Sequence, residues 1–169
     1  TWTCVKPGTF GTDAFDPETD WEGRHCAGYG VFKDKMWIIG GDANQGHYQY
    51  GVWNSTDGKH WTQVNAGKHP PWMPRVLHHT VIFDDAIWVM GGQTMPGFVD
   101  DGTPEAFYND LWRSTDGVNW EKIETQGPMW EPRGMIGGAV VFNERMWILG
   151  GGRYDTPTTP ERVFMNDLW

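Results

Sequence analysis

Residues 35–41 read KMWIIGG, and this stretch decides the fold because the chain repeats it twice. The second copy is AIWVMGG at residues 86–92, and the third is RMWILGG at residues 145–151. The copies are offset by 51 and then by 59 residues. Each copy is a short apolar run closed by two glycines. A period of about 50 residues without helical patterning indicates an array of repeated β-units.

The twelve tryptophans of the 169-residue chain all fall into this repeat. Four positions recur in each copy: one in a Trp-x-x-Arg before the quoted stretch, one inside it, and two that flank a later turn. Because these positions account for every tryptophan, we reject chance clustering of aromatic residues. The members, position by position, are Trp21, Trp72 and Trp130; Trp37, Trp88 and Trp147; Trp53, Trp112 and Trp169; and Trp61, Trp120 and Trp2.

The second copy shows what one repeat builds. Four β-rich runs occupy residues 78–83, 87–90, 110–114 and 119–123. The glycine pair is expected to end the second run, and Asp116-Gly117 is a strong signal for a turn before the fourth. Four short strands joined in this order form an antiparallel meander, which is the unit of a propeller blade.

The sequence therefore predicts an all-β chain in which residues 1–169 form one segment of a β-propeller with three four-stranded antiparallel blades. The blades are expected at about residues 21–67, 72–126 and 130–169. The third copy stops after its third strand, and residues 1–5 resemble the missing fourth strand, as a displaced outer strand. Small residues in the first run of the copies predict that this run lies nearest to a crowded axis.

Several of these features together carry a family resemblance. They are the Pro-Arg pair, the strand that ends in Gly-Gly, the Asn-Asp-Leu-Trp at residues 109–112 and 166–169, and the final Trp. This set resembles the kelch repeat of β-propellers, and the chain is similar to galactose-oxidase-like central domains and bacterial kelch-type proteins. The resemblance implies a propeller fold but leaves the function open, because kelch propellers serve both as binding modules and as enzymes.

Three blades do not close a ring, because propellers have about four to eight. Either the chain is a piece of a longer protein that supplies the missing blades, or two copies associate head to tail and complete six. In the second alternative, residues 2–5 of one copy would close the third blade of its partner. Unpaired blade faces would otherwise expose apolar surface, so we expect self-association or further blades.

Composition narrows the classes of partner. The chain has 13 basic and 22 acidic residues and a net charge of −9, which argues against binding to nucleic acid. It has no apolar run of about 18 residues, so we expect no membrane span. No targeting signal is recognisable in the chain. The resemblance to bacterial proteins favours a secreted or periplasmic location and leaves the compartment open.

The candidate site is on one predicted face, which we call the loop face. It carries the Trp-x-x-Arg linkers and the loops 42–50, 93–109 and 152–165. Variable loops on a rigid scaffold are the usual place for binding. Arg24, Arg75 and Arg133 are expected to approach the central channel here and to bind a carboxylate, sulfate or phosphate. The resemblance implies ligand-binding residues at this position. The alternative is that each arginine pairs with an interblade carboxylate or a backbone carbonyl.

Aromatic and polar side chains near these arginines suit a carbohydrate. Trp21, Trp72 and Trp130 are expected to stack on sugar rings, with packing in the core as the alternative. Loop residues add further groups of the kind that carbohydrate sites use, namely His47, Tyr48, Tyr50, Tyr108, Arg153 and Tyr154. Three loop carboxylates supply either acid–base chemistry or simple solvation of the loop, namely Asp100, Asp101 and Glu105.

We expect no cofactor and no metal. The acidic residues between positions 13 and 22 lack the glycine-turned spacing of a calcium loop. The copper site of galactose oxidase, with its Tyr linked to Cys, has no match in the sequence. His78 and His79 are neighbours on a strand and point to opposite faces, so we expect them to be buried and hydrogen-bonded rather than to bind one metal.

These observations lead to three hypotheses for the function. The first is a kelch-type scaffold that binds an acidic or carbohydrate ligand, or a protein, on the loop face. The second is a propeller enzyme that acts on a sugar acid or polysaccharide as an epimerase, lyase or hydrolase, with no catalytic residue assigned. The third is a propeller fragment or half-propeller whose main property is self-assembly.

Overall fold

The computed structural model describes residues 1–42, 47–95, 104–134, 137–156 and 158–169. Within these residues the chain forms three antiparallel sheets and no helix. The predicted fold class, an all-β partial propeller, is confirmed. In the described part of the chain, no helix is long and apolar enough to cross a membrane.

Each sheet is a meander whose strands pair in chain order, and the third sheet has three strands, as the truncated third repeat predicts. The first sheet consists of β1 (Gly28–Phe32), β2 (Lys35–Ile39), β3 (Val52–Ser55) and β4 (Thr62–Gln63). The second consists of β5 (His79–Phe83), β6 (Ala86–Thr94), β7 (Ala106–Ser114) and β8 (Glu121–Ile123). The third consists of β9 (Gly138–Phe142), β10 (Arg145–Arg153) and β11 (Val163–Leu168).

The glycine pair ends the second strand only in the first sheet, so the prediction that it does so in every copy is wrong. In the second sheet β6 continues through Gly91 and Gly92, whose φ angles are 62° and 106°. The register shifts between Met90 and Gly92, and the pairing then resumes with Gly92 opposite Tyr108. Glycine accepts these φ angles without a steric penalty, so the pair forms a bulge and the hairpin grows beyond it.

Three tight turns join the first and second strands of the sheets, at the pairs Lys33-Asp34, Asp84-Asp85 and Asn143-Glu144, where the sequence between the two β-rich runs predicts a turn. Both central residues have a positive φ in all three turns, at residues 33–34, 84–85 and 143–144. Two left-handed residues in succession define the type I′ turn, whose twist matches that of the strands it connects. These turns mark the face opposite to the loop face.

The first strand of each sheet lies on the inside, where β1 contacts β5 and β5 contacts β9. The small residues predicted to lie near the axis permit this approach. A Cβ atom on Gly28 would overlap the Thr80 side chain, and one on Gly30 would lie 2.9 Å from Cγ1 of Ile82. Between the first two sheets, the glycines of β1 thus face bulkier residues of β5 and allow the two strands to approach closely.

Two apolar cores hold the sheets together. The core between the first and second sheets is built on Trp37, Ile39, Val52, Trp72 and Ile87. The core between the second and third sheets contains Val81, Trp88, Met90, Leu111 and Trp130. Burial of such side chains from water is the main stabilising contribution to the fold.

The two Ser-Thr-Asp-Gly turns are structural, as predicted. Asp116 accepts hydrogen bonds from the backbone N–H groups of Val118 and Asn119, both at 2.8 Å. Slight burial alone would raise the pKa of Asp116, but these bonds outweigh it and lower the pKa to about 2. Asp57 bonds to Lys59 and His60 in the same way.

Candidate functional site

The three repeated arginines occupy equivalent places, but their side chains have different partners. Arg75 is 3% exposed, and it donates to both carboxylate oxygens of Asp110, at 2.5 and 3.0 Å. Arg133 is fully buried and donates to both oxygens of Asp167, at 2.7 and 2.8 Å. Both arginines also donate to a backbone carbonyl, as the pairing alternative has it, but their carboxylate partners belong to their own repeat and not to a neighbouring blade. The ligand-binding role remains a prediction.

The carboxylate partners are strongly acidic groups. Burial raises the pKa of Asp110, but its hydrogen bonds and charge interaction with Arg75 outweigh this and hold the pKa below its ordinary value. The hydrogen bond from Arg133 lowers the pKa of Asp167 well below its usual range. Both pairs are therefore ionised at neutral pH, and each uses the bidentate geometry that arginine favours.

Arg24 is the exception among the three arginines. It is partly buried and forms no ion pair with any carboxylate that the structure describes. It donates to the carbonyl oxygen of Gly40 at 3.0 Å and to Oε1 of Gln49 at 3.3 Å. Burial lowers the pKa of Arg24 to about 10, which leaves the guanidinium charged at neutral pH.

The three tryptophans beside the arginines are not equivalent either. Trp72 is 1% exposed and packs edge to face against Trp120, while Trp130 lies in the core between the second and third sheets. Trp21 is only partly buried, and the Arg24 guanidinium lies 6.0 Å from its ring centre. The stacking prediction therefore rests on Trp21, because the other two rings are enclosed by protein.

The predicted loop residues separate into exposed and enclosed groups. His47 is exposed, with Nε2 3.5 Å from a carboxylate oxygen of Glu22. Tyr48 is buried, and its hydroxyl accepts the Met95 N–H at 2.6 Å.

The other three predicted tyrosines are partly buried, and the ring of Tyr50 stacks on that of His69 with 3.9 Å between the ring centres. Tyr108 shares a hydrogen bond of 2.9 Å with Thr94, and its ring centre lies 3.7 Å from the Arg75 guanidinium. Tyr154 contacts the guanidinium of Arg162, 5.5 Å from its ring centre.

Of the three loop carboxylates, Asp100 and Asp101 lie outside the described residues. Glu105 accepts hydrogen bonds from the hydroxyl groups of Thr156, Thr158 and Thr159. Slight burial raises the pKa of Glu105, but these bonds outweigh it and lower the pKa. Glu105 is therefore a carboxylate at neutral pH, and it ties two predicted loops together.

A cavity of about 140 Å³ lies where the inner strands begin, at the loop-face end of the sheets. We call it the inner-strand cavity. All three sheets contribute to its lining, which consists of Cys26, Ala27, Leu77, His78, His79 and Gly137. Cys26 and Leu77 occupy equivalent positions and both have a positive φ, 54° and 60°, so the chain turns sharply into β1 and into β5.

The two histidines of this cavity are buried, as predicted, but the prediction that they are hydrogen-bonded is not confirmed. In the described part of the chain, neither ring nitrogen of His78 meets the geometry of a full hydrogen bond, although the backbone of Ile39 lies close enough to counteract part of the lowering of its pKa. The Nε2 atom of His79 also has no partner there. Gln93, which pairs with Val76 on the approach to β5, is also buried with both amide atoms unpartnered. Buried polar atoms without partners are unusual, and they mark a place where a bound molecule would supply the missing bonds.

Sequence reasoning did not identify the aspartates that pair with Arg75 and Arg133. The signal was present, since Asp110 and Asp167 are the acidic members of the repeated Asn-Asp-Leu-Trp motif. The same position in the first repeat is Gly51. This difference identifies Arg24 as the arginine without a carboxylate.

A second, larger cavity of about 370 Å³ lies between the N-terminal segment and residues 59–61. Its wall includes Lys6 and Asp20, which form an ion pair at 2.8 Å. It is distant in sequence from the loops of the loop face and contains none of the predicted site residues. We therefore take the inner-strand cavity as the candidate site.

Acidification is expected to destabilise the protein through His78. An imidazole in the unfolded chain has a pKa of about 6.5. Burial, with the positive charge of Arg75 nearby, lowers the pKa of His78 to about 3 in the folded protein. Below about pH 6.5 the unfolded state binds a proton that the folded state does not. The free energy of unfolding should therefore fall by about 1.4 kcal/mol per pH unit towards pH 3.

Denaturant unfolding at about pH 7.5 and about pH 5 measures this slope. His79, whose pKa is also lowered by burial, adds an effect of the same sign. The variant His78→Phe should flatten the dependence, whereas the control His60→Phe, which removes an ion pair with Asp57 on an exposed turn, should not flatten it. An identical slope in His78→Phe would contradict the prediction.

Comparison with known proteins agrees with the fold. No family model matches the chain. The chain is 27% identical over 140 residues to the leucine-zipper-like transcriptional regulator 1 homolog of Drosophila melanogaster, covering 82% of this chain and 13% of that protein. It is similar to the structure of YjhT, with a TM-score of 0.61 and 20% identity, covering 88% of this chain and 42% of that one.

These two similarities support a fold class and say nothing about a ligand or an activity. At 20% identity the similarity to YjhT shows a propeller-type fold and carries no ligand or activity with it. The chain spans less than half the length of either protein that it matches. The fold is therefore that of a partial β-propeller.

Proposed function

We propose that this chain is part of a kelch-type β-propeller that binds an acidic or carbohydrate ligand on its loop face, at the inner-strand cavity. The observation that carries the proposal is the set of buried, unpartnered imidazole nitrogens at a cavity lined by all three sheets. The repeat itself supports the kelch assignment, and the position of the cavity at the loop-face end supports its use as a binding site.

The chemistry of the cavity favours hydroxyl groups. Because its pKa is about 3, His78 is neutral at pH 7, with one ring nitrogen that donates and one that accepts. A sugar hydroxyl also both donates and accepts, so it can satisfy either nitrogen. The volume of about 140 Å³ admits several waters and therefore also a hydroxyl-bearing part of a ligand.

A glycan array with neutral and uronic-acid sugars, followed by calorimetry on each sugar that binds, tests the proposal. His78→Phe should weaken binding at least about tenfold, because the ligand loses its partner in the cavity. His60→Phe is the matched control on the opposite face and should bind like the unmodified chain. The proposal fails if the folded protein binds no sugar, or if His78→Phe binds as tightly as His60→Phe.

A second candidate function, self-assembly, is favoured by the open faces of the outer sheets. On the third sheet, Val140, Phe142, Leu149 and Leu168 are 46%, 61%, 41% and 58% exposed. Their counterparts on the second sheet are Val81, Phe83, Met90 and Leu111, which all pack in the core against the third sheet. The third sheet thus exposes the face that the second sheet buries.

The first sheet shows the complementary situation. Val31 and Met36 are exposed, whereas their counterparts Ile82 and Ile87 pack against the first sheet. We propose that the open face of the third sheet packs on the open face of the first sheet of a second copy, so that two chains complete a six-bladed ring. The burial of two such apolar faces would drive the association.

Light scattering on a size-exclusion column should then give twice the 19.3 kDa mass of the chain. Phe142→Glu, which places a charge in the interface, should shift the protein to a monomer. Phe10→Glu is the control, since Phe10 is 50% exposed and lies on neither face. A stable monomer at high concentration would rule out self-assembly and leave additional blades as the partners of these faces.

A further inference from the structure

A three-residue cluster recurs in the second and third sheets and is incomplete in the first. In the second sheet, Asp110 accepts from Arg75 and also from the indole N–H of Trp112 at 2.8 Å. In the third sheet, Asp167 accepts from Arg133 and from the indole N–H of Trp169, again at 2.8 Å. One carboxylate thus satisfies an arginine and a tryptophan together.

The first sheet keeps both donors and lacks the acceptor. Arg24 and Trp53 occupy the arginine and tryptophan positions, and Gly51 stands where the aspartate would be. Trp53 is only 4% exposed, and its indole nitrogen has no hydrogen-bond partner among the residues that the structure describes. Arg24 meets neutral acceptors in place of a carboxylate, namely the backbone carbonyls of Glu22, Gly40 and Gly51 and the side-chain oxygen of Gln49.

We propose that this cluster is a binding site for a ligand carboxylate, which takes the place of the missing aspartate and accepts hydrogen bonds from Arg24 and Trp53. Two independent observations converge on it: a charged arginine without an ion pair and a buried indole N–H without an acceptor. A charge-assisted bond from arginine with a second bond from an indole is the arrangement that the other two sheets use for their own carboxylates.

The indole ring of Trp53 controls access to this site. A Cβ atom on residue 51 would overlap the indole nitrogen of Trp53, so in the unliganded protein the ring fills the space that an aspartate would need. In the other two sheets the corresponding rings leave room for the carboxylate. Binding therefore requires the Trp53 ring to rotate towards the position of Trp112, while Arg24 is already partly exposed.

The chemical class of the ligand follows from the donors. A carboxylate fits one guanidinium and one indole N–H, and it can come from a sugar acid or from another small organic acid. The sugar-acid source rests on the function proposed above, whereas the carboxylate site itself does not. The experiment therefore compares acetate, glucuronate and glucose as probes.

The test is the indole N–H resonance of Trp53 in a proton–nitrogen correlation spectrum at neutral pH, assigned with Trp53→Phe. Sodium acetate should move this resonance downfield with saturation, and sodium chloride at equal ionic strength should not. Glucuronate should act at least as strongly as acetate, and glucose should have no such effect. Arg24→Gln should weaken the response to acetate at least about tenfold.

A second pair of variants replaces Gly51, and one of the two supplies a carboxylate from the chain itself. Gly51→Asp should place the Trp53 resonance near its acetate-bound position and abolish the response to acetate. Gly51→Ala also displaces the ring but supplies no carboxylate, so Gly51→Asp should melt at the higher temperature. The acetate response is read on Trp53 without any sugar present, which keeps a failure of sugar binding at the inner-strand cavity distinct from a failure of this site.

Three results would overturn the inference. The first is a Trp53 resonance that responds to acetate no more than to chloride. The second is a response that survives Arg24→Gln at full strength. The third is an equal response to glucose, which has no carboxylate.

Discussion

Replacement of Arg75 by alanine is expected to lower the free energy of unfolding by about 3–5 kcal/mol, because it leaves the Asp110 carboxylate without its charged partner in a largely buried place. Arg75 is 3% exposed and makes a bidentate pair with Asp110. Its guanidinium also donates to the Gly91 carbonyl at 3.0 Å, so the same change removes a bond to the bulge of β6. Urea unfolding followed by tryptophan fluorescence gives the value.

Arg24→Ala is the matched control, because it removes an arginine at the same position of the repeat that has no carboxylate partner. We expect a loss of about 1–2 kcal/mol there, from hydrogen bonds to neutral acceptors alone. The double change Arg75→Ala with Asp110→Ala should cost less than the sum of the two single changes. Equal losses in Arg75→Ala and Arg24→Ala would contradict a special role for the ion pair.

Truncation of Trp72 to alanine should be similarly severe, with a loss of about 3–5 kcal/mol in the free energy of unfolding. Trp72 is 1% exposed and joins the first and second sheets, where it contacts Trp120. Removing the ring leaves a cavity that strands on both sides cannot easily collapse to fill. Equilibrium unfolding in urea measures the loss.

The fully exposed Trp2 provides the control for this variant. Trp2→Ala should change the free energy of unfolding by no more than about 0.5 kcal/mol in the monomer. If Trp72→Ala were as mild as Trp2→Ala, the core between the first two sheets would not depend on this ring.

The regular spacing of the repeat predicted the fold. The repeated KMWIIGG-like stretch predicted the second strand of each sheet, and the structure has β2, β6 and β10 at those places. The pairs at 33–34, 84–85 and 143–144 predicted the turns, since two left-handed residues in succession are a property of local sequence. Such turns can be predicted from the sequence because their backbone conformation depends mainly on residues that are adjacent in the chain.

Features that depend on distant partners could not be read in the same way. The glycine pair suggested the end of a strand, but pairing of β6 with β7 resumes at Gly92 and Tyr108 after the bulge. Whether Arg75 faces a ligand or Asp110 depends on a residue 35 positions away. That information lay in the comparison between repeats, where Gly51 stands in place of the aspartate, and not in any single motif.

The candidate site also combines a local feature that the sequence predicted with one that depends on distant residues. The sequence predicted that His78 would be buried, because it opens an apolar inner strand. The sequence did not show which residues would surround the ring, and the structure places Cys26, Ala27 and Gly137 of the neighbouring repeats around the same cavity. A missing hydrogen bond is a property of the surrounding shape, and that shape appears only when three sheets are assembled.

The linkers between sheets have a further consequence for how such a chain can be enlarged. The backbone of Arg133 bonds to Gly92 and Tyr108 of the preceding sheet, while its side chain bonds to Asp167 of its own sheet. The third repeat therefore carries both the backbone bonds to the preceding sheet and the ion pair that holds its own linker. A copy of this repeat would bring both sets of connections with it, so duplication of the third repeat could add a blade without changes in the sheet before it.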